Sequence, residues 1–453
     1  LAPAVFLTLL LIVPAIAQPV AAQGGLTLLW SVPYEVLDVA VSADGSHIAA
    51  INDTCLSYYS SDSPVPIWTF PMPAPSIHLW DVAISADGMY IALEVYFDNG
   101  GGQIGYFNST SNQPQWASVQ FTLVSWNYYD YPVVVQRSTL SISDDGDIVA
   151  AGGLYDSQVA YWDGCTQRNT YTEAPTWWSE WYEEGLITCI DMTPDGSYVV
   201  TGGVESYDSE VLPTVLDFNA TGYELWWTSL YYYPGVIWDV AVSDDGYGVA
   251  AGVLYYYGIF SQVNYIADAT EPLGYISAPN WSGGEIGYSY VPVDISGNGD
   301  RVTCGTLTLA DTLFYWSNAR TLQGESQEDW NHSYQVGDVA ISSDGRIVAA
   351  TTFDRGVPNS DYLRLFDEAG GELASFQLDN PGSVVSMSRD ASLIAVATQV
   401  LGTQYVLAYR EAPPVGGEIL PLDKIALIGP YLVIALLLSI TAASTLVLIK
   451  RRP

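Results

Sequence analysis

A short alternating segment recurs along the chain, apolar at every second position, ending in Ser or Thr and followed one residue later by Asp-Gly. The first copy is Asp38-Val39-Ala40-Val41-Ser42 before Asp44-Gly45, with Ile48-Ala49-Ala50 beyond the turn. Further copies end at Ser85, Ser143, Thr193, Ser243, Ser296, Ser342 and Ser388. Their turns are Asp87-Gly88, Asp145-Gly146, Asp195-Gly196, Asp245-Gly246, Asn298-Gly299, Asp344-Gly345 and Asp390-Ala391. From Gly45 to Ala391 the spacings are 43, 58, 50, 50, 53, 46 and 46 residues. Period-two alternation predicts strands, and Asp-Gly between two of them predicts a tight hairpin. Eight such units predict one all-β, eight-bladed ring of sheets, a β-propeller, where length alone suggests about three domains. Seven blades with a degenerate insertion is the alternative.

After the second strand of each unit come a third and an outer, aromatic-bearing fourth, as in Ile67-Trp68-Thr69-Phe70, Leu225-Trp226-Trp227-Thr228 and Leu373-Ala374-Ser375-Phe376. The eighth unit stops after its third strand, Tyr405-Val406-Leu407-Ala408-Tyr409. Upstream of the first unit, residues 26–32 form an unassigned strand. That strand is predicted to complete the last blade and remove the open edge of the ring. On these Ser-x-Asp-Gly units the chain resembles the WD40-like, PQQ-like and YVTN-type propeller repeats over about residues 26–411. The resemblance implies the fold; such repeats serve enzymes, receptors and scaffolds alike.

The two ends give an expected address. Residues 1–22 read as the apolar core and small-residue cleavage region of a secretory signal peptide. No Met or basic segment precedes them, so the sequence is expected to start inside that peptide. Residues 425–449 carry no formal charge and are closed by Lys450-Arg451-Arg452. As a helix they would rise about 37 Å, enough to cross a bilayer core of about 30 Å. The basic stop predicts a cytoplasmic tail, residues 450–453, and an extracellular domain, residues 23–411, joined through a Pro/Gly linker at 412–424.

Composition narrows the partners. Across 453 residues there are 13 Lys+Arg against 50 Asp+Glu, a formal charge of −37. Nucleic acid and anionic lipid headgroups are therefore poor partners. Only 14% of residues are charged and 49% are hydrophobic, so the acidity is that of a folded surface and not of a disordered tail.

Candidate chemistry is sparse. His47, His78 and His332 are far apart in sequence and form no zinc motif. No cofactor is expected; Ca²⁺ is the one ion that Asp144-Asp145-Gly146-Asp147 or Asp244-Asp245-Gly246 could coordinate, and neither segment has EF-hand spacing. Hairpin geometry accounts for both segments as well. Cys55, Cys165, Cys189 and Cys304 form no Cys-x-x-Cys motif; Cys165 and Cys189 fall in adjacent units, where a disulfide or two buried thiols would each fit. Eight-bladed, exported quinoprotein dehydrogenases share this plan, but their adjacent cysteines and tryptophan-docking repeats are missing here. Sialidase-type Ser-x-Asp-x-Gly-x-Thr-Trp turns and a Gly-x-Ser-x-Gly elbow are missing too.

Binding is the expected role, with an exported propeller enzyme or a structural envelope component as rivals. Loops from outer strand to next inner strand, and from second to third strand, share one face. The first set holds Trp126, Tyr128 and Tyr129, then Trp177, Trp178, Glu180, Trp181, Glu183 and Glu184, then Tyr231 and Tyr232. Rings beside carboxylates suit an extracellular protein or glycan, or else simply pack between blades. Asp38, Asp81, Asp239 and Asp338 each open an inner strand at the channel mouth. They either share a cation or bond blade to blade. Five sequons, at Asn52, Asn108, Asn219, Asn280 and Asn331, fit an exported glycoprotein.

Overall fold

The computed structural model describes residues 25–410 apart from 34–35, 73, 99–100, 123–138, 153–157, 180–184, 208–209, 230–234, 256–260, 268–274, 278–290, 307–311, 323, 326–327, 354–359 and 399–403. Eight sheets of four or five strands follow one another around a ring, each built on an antiparallel meander, to which Gly324–Glu325 adds a parallel edge strand in the fifth. The inner strands of blades 1 to 8 are Asp38–Val41, Ile77–Ile84, Leu140–Ile142, Gly185–Met192, Gly235–Val242, Val293–Ile295, Gln335–Ile341 and Gly382–Met387. Eight blades, not seven, are therefore present.

Blade 8 closes the ring as the leftover strand predicts. Gly25–Val32 lies antiparallel to Gln404–Arg410, from Gly25 opposite Arg410 to Val32 opposite Gln404, with a bulge at Leu28/Trp30. The last blade thus takes its outer strand from the start of the chain, and no inner-blade edge is left unpaired there.

Strand registers explain why the sheets fit as wedges. In blade 1 the row Ala40, Ala49, Tyr58, Trp68 runs from channel to rim across the four strands. Blade 2 repeats it as Ala83, Ala92, Tyr106, Trp116, and blade 3 as Ser141, Ala150, Tyr161, Trp177. Small side chains near the axis and large rings at the periphery match the widening gap between blades. Trp116, Tyr58 and Tyr106 are fully buried, with Tyr106 stacked on Trp116 at 5.1 Å.

All eight hairpins between first and second strands share one hydrogen-bond pattern. The Ser or Thr hydroxyl donates to the Asp (or Asn298) side chain at 2.7–2.9 Å. The same hydroxyl accepts from the backbone N–H five residues on. At Gly146 the backbone has φ 73°, and a Cβ would lie 2.4 Å from the Tyr90 ring, so glycine is required twice over. Ala391 holds the same left-handed conformation with a side chain, at φ 58°.

Candidate functional site

Three sets of polar ties run between neighbouring blades, and they use the four inner-strand aspartates and Trp177 among the residues that look functional in the sequence. On the turn face, backbone N–H groups donate to the next blade's turn at 2.7–3.0 Å. The bonds run from Asp44 to Ala86, Ala86 to Asp144, Asp144 to Pro194, Asp244 to Gly297, Gly297 to Ser343, Ser343 to Arg389 and Arg389 to Ala43. Pro194 has no N–H to give, so the junction of blades 4 and 5 lacks this bond.

Between the sheets, third-strand tyrosines reach the next turn. Tyr58, Tyr106, Tyr161, Tyr265 and Tyr315 donate to the carbonyls of Gly88, Gly146, Gly196, Gly299 and Gly345 at 2.6–3.0 Å. Farther out, indole N–H groups of Trp30, Trp68, Trp116, Trp177 and Trp330 donate to Ser61, Ser109, Cys165, Ala220 and Glu368 carbonyls at 2.9–3.2 Å. Trp30 shows that the N-terminal strand takes part in this pattern on equal terms.

Here the sequence-based placement of two candidates is corrected. Trp177 and Trp178 do not lie in a loop; they form the outer strand of blade 3, paired with Tyr161 and Ala160. Trp177 stacks on Tyr161 at 4.9 Å and Trp178 meets Trp162 edge-on at 6.4 Å. A two-residue strand is too short to show alternation, and a Trp-Trp-Ser-Glu-Trp run imitates an irregular segment. Trp126, Tyr128, Tyr129, Glu180, Trp181, Glu183, Glu184, Tyr231 and Tyr232 lie outside the described residues, as do the segments 1–22, 412–424, 425–449 and 450–453. Among the described residues no helix is long and apolar enough to cross a membrane.

Nearest the axis, inner-strand carboxylates form the third set of ties. Asp38 accepts from Val82 N–H at 3.0 Å, and Asp81 from Thr139 and Leu140 N–H at 2.6 and 3.0 Å. Asp239 accepts from Val293 at 3.0 Å and Asp338 from Val385 at 2.9 Å. All four therefore bond blade to blade. Asp81, Asp239 and Asp338 do not open their strands; each follows a bulge within one, which re-aims the side chain. Asp191 and Asp294, two residues nearer the turn, do the same work toward Val242 and Ile341 at 2.8 and 2.7 Å. In the sequence both sit two residues before the Ser/Thr of their repeat, a signal that alignment on that hydroxyl would have exposed.

One carboxyl knot spans three blades. Glu94 lies opposite Asp81 in the blade 2 sheet, is 4% exposed, and accepts from the Thr139 hydroxyl of blade 3 at 2.6 Å. Burial pushes Glu94 up to about 8. Burial, the Asp38 charge and then the Glu94 charge hold Asp81 well above the usual carboxylate range. Asp38 is raised by burial, against bonds from Asp81 and two backbone N–H groups. On the turn face, Arg389 of blade 8 holds both oxygens of Asp144 of blade 3 at 2.8 Å. Asp145 and Asp245 are used by their own turns, and among the described residues no group of three or more His, Cys, Asp or Glu is arranged to hold a metal ion.

The remaining candidates also have local structural roles. Asn52, Asn108 and Asn219 each start an Asx turn in which the Thr two residues on donates both its N–H and its hydroxyl to the Asn oxygen. Asn331 lies in the outer strand of blade 6 and donates to Glu328 at 2.8 Å; Asn280 is outside the described residues. All four cysteines are free, and Cys165, Cys189 and Cys304 are buried.

Comparison with known proteins agrees with this geometry. The family model described as "WD domain, G-beta repeat" matches residues 180–212, most of which belong to blade 4. The chain carries a WD40-like β-propeller. A solved structure titled as the Dos1 propeller superposes with a TM-score of 0.58 at 12% identity, covering 84% of this chain and 95% of that one. The Myceliophteria thermophila Cps50 (Swd1) propeller domain gives 0.50 at 12% identity, covering 84% and 99%. At that identity the likeness is one of fold. No curated protein matches the sequence significantly.

Proposed function

We propose that this WD40-like propeller is a non-enzymatic binding or scaffold module, held at the cell surface by the apolar segment 425–449 and offering its loop face to an extracellular protein or glycan. The observation that carries this reading is a division of labour. The described turn aspartates, inner-strand aspartates and inter-blade rings are engaged in holding the ring together. What the sequence leaves over is the aromatic and acidic content of the long loops, around Trp126, Trp181 and Tyr231. A rigid ring with variable loops on one face is the usual way a propeller presents a recognition surface.

The test uses full-length protein on intact cells. Added protease is expected to strip the propeller while the tail stays protected. A glycan array and proximity labelling with the parent should yield a ligand. The variant Trp126→Ala/Tyr128→Ala/Tyr129→Ala/Trp181→Ala should then lose at least tenfold in binding while melting within about 2 °C of the parent, as expected of rings that serve recognition and not packing. Full binding by that variant, or a propeller that only cell lysis makes cleavable, contradicts the reading.

A further inference from the structure

We propose that the propeller folds with protons on its buried carboxyls, so that mild acid tightens the ring and mild alkali loosens it, a pH-sensitive device built into the blade junctions.

The geometry rests on two unrelated places. The first is the knot of Asp38, Asp81 and Glu94, where three carboxyls from two blades meet and Thr139 of a third blade is bonded to two of them. The groups facing this knot are Asp338 from blade 7, toward Asp38, and the Thr139 hydroxyl, toward Glu94. Both bring either negative charge or a neutral donor, and no Lys, Arg or His among the described residues pairs with any of the three. Carboxylates this close cannot all ionise together.

The second place is the junction of blades 4 and 5. Asp217 stands in the row position that holds Tyr58, Tyr106, Tyr161, Tyr265 and Tyr315 elsewhere. It is fully buried, and the polar groups that face its carboxyl are the Trp226 indole opposite it and the Phe218 N–H, two neutral donors with no cation beside them among the described residues. A buried carboxylate without a countercharge is far costlier than a buried carboxylic acid, so this group is held neutral. Asp294 and Asp191, on the inner strands of blades 6 and 4, face other acids: Asp294 faces Asp191 and Asp239, and Asp191 faces Asp244.

The direction of linkage follows. Burial raises Asp217, Glu94 and Asp294 to about 8, and Asp191 to about 6. In the unfolded chain such groups ionise near pH 4. Between about pH 4 and pH 8 the folded state therefore binds more protons than the unfolded state, and stability falls as pH rises through that window. The stabilising contribution is fully present below the unfolded value and lost as pH passes the folded one. The turn acids Asp44, Asp195, Asp245 and Asp390 are shifted the other way by their hydrogen bonds and act only below the ordinary carboxylate range. Each extra proton held by the folded state changes the folding equilibrium up to tenfold per pH unit.

Urea unfolding of the full-length protein at pH 5, 6, 7 and 8 reads this directly. The midpoint should rise steadily on going from pH 8 to pH 5. Asp217→Asn and Glu94→Gln, which keep shape and remove the titration, should each flatten that slope and lift stability at pH 8 relative to the parent. A midpoint that falls on acidification, or a slope that neither substitution changes, overturns the proposal. If Glu94→Gln fails to fold, Asp217→Asn alone decides it, since the Asn oxygen can still accept from the Trp226 indole and the Phe218 N–H that face Asp217.

Discussion

The junction between blades 2 and 3 and the junction between blades 4 and 5 reach the same closure by different means. At the first, the Ala86 N–H bonds Asp144, Asp81 holds two N–H groups of blade 3, the Tyr106 hydroxyl reaches Gly146, and the Trp116 indole reaches Cys165. At the second, Pro194 removes the turn-face donor, Asp217 replaces the tyrosine, and the Trp226 indole faces Asp217 of its own blade. What holds blades 4 and 5 is the Asp191–Val242 bond, a Thr188 hydroxyl donated to Ile237, and a block of close-packed aliphatics. Cys189, Val200 and Val215 face Ile237, Val240, Val249 and Val253 there, all buried. Aliphatic burial is non-directional and tolerates the loss of individual polar ties, whereas a buried carboxyl without a countercharge is tolerated only while it is neutral. Redundancy among ties lets a single junction diverge without opening the ring.

The largest effect should come from attacking closure itself. Removing Gly25–Val32 strips blade 8 of its outer strand and deprives Ser61 of the Trp30 indole. The expected outcome is loss of cooperative unfolding and aggregation through the bared Gln404–Arg410 edge, read by size exclusion and urea titration. A truncated chain as stable as the parent would mean that the eighth junction is dispensable.

A smaller effect isolates one tie. Tyr106→Phe keeps the ring stacked on Trp116 and removes only the hydroxyl that satisfies the buried Gly146 carbonyl. The loss should be about 1–2 kcal/mol by chemical denaturation, the usual cost of one buried hydrogen bond with its partner left unpaired. No change would show that the tyrosine row works through packing alone.

Much of this ring was legible because its signals are local. The Ser-x-Asp-Gly turn, with its hydroxyl–carboxylate bond and left-handed glycine, is complete within about six residues, so each copy announces itself. Closure was legible because a strand was left over at one end and lacking at the other. The carboxyl knot was not: Glu94 is a single acid in an apolar strand, and its meaning depends on Asp81 opposite and Thr139 in another blade. Trp177 was misplaced for a related reason, since a strand of two residues carries no period and its hydrogen bond goes to Ala220, 43 positions away. Asp217 stands out only when third strands are aligned by register, because its oddity lies in what the equivalent positions hold.

In blades 1, 2, 3 and 6 a row of small residue, tyrosine and tryptophan ties each blade to the next, and blade 4 allows that row to be rebuilt. Val200 stands where blades 1, 2, 3 and 5 have alanine, so the bulk lost at Asp217 is partly made up beside it. The double substitution Val200→Ala/Asp217→Tyr restores the common pattern and aims a hydroxyl at the Gly246 turn. Equilibrium urea unfolding at pH 7 should show the double variant about 1 kcal/mol more stable than the parent, the net worth of a made hydrogen bond with the buried acid removed. A double variant less stable than the parent would contradict the claim, and would assign the junction to its aliphatic block alone.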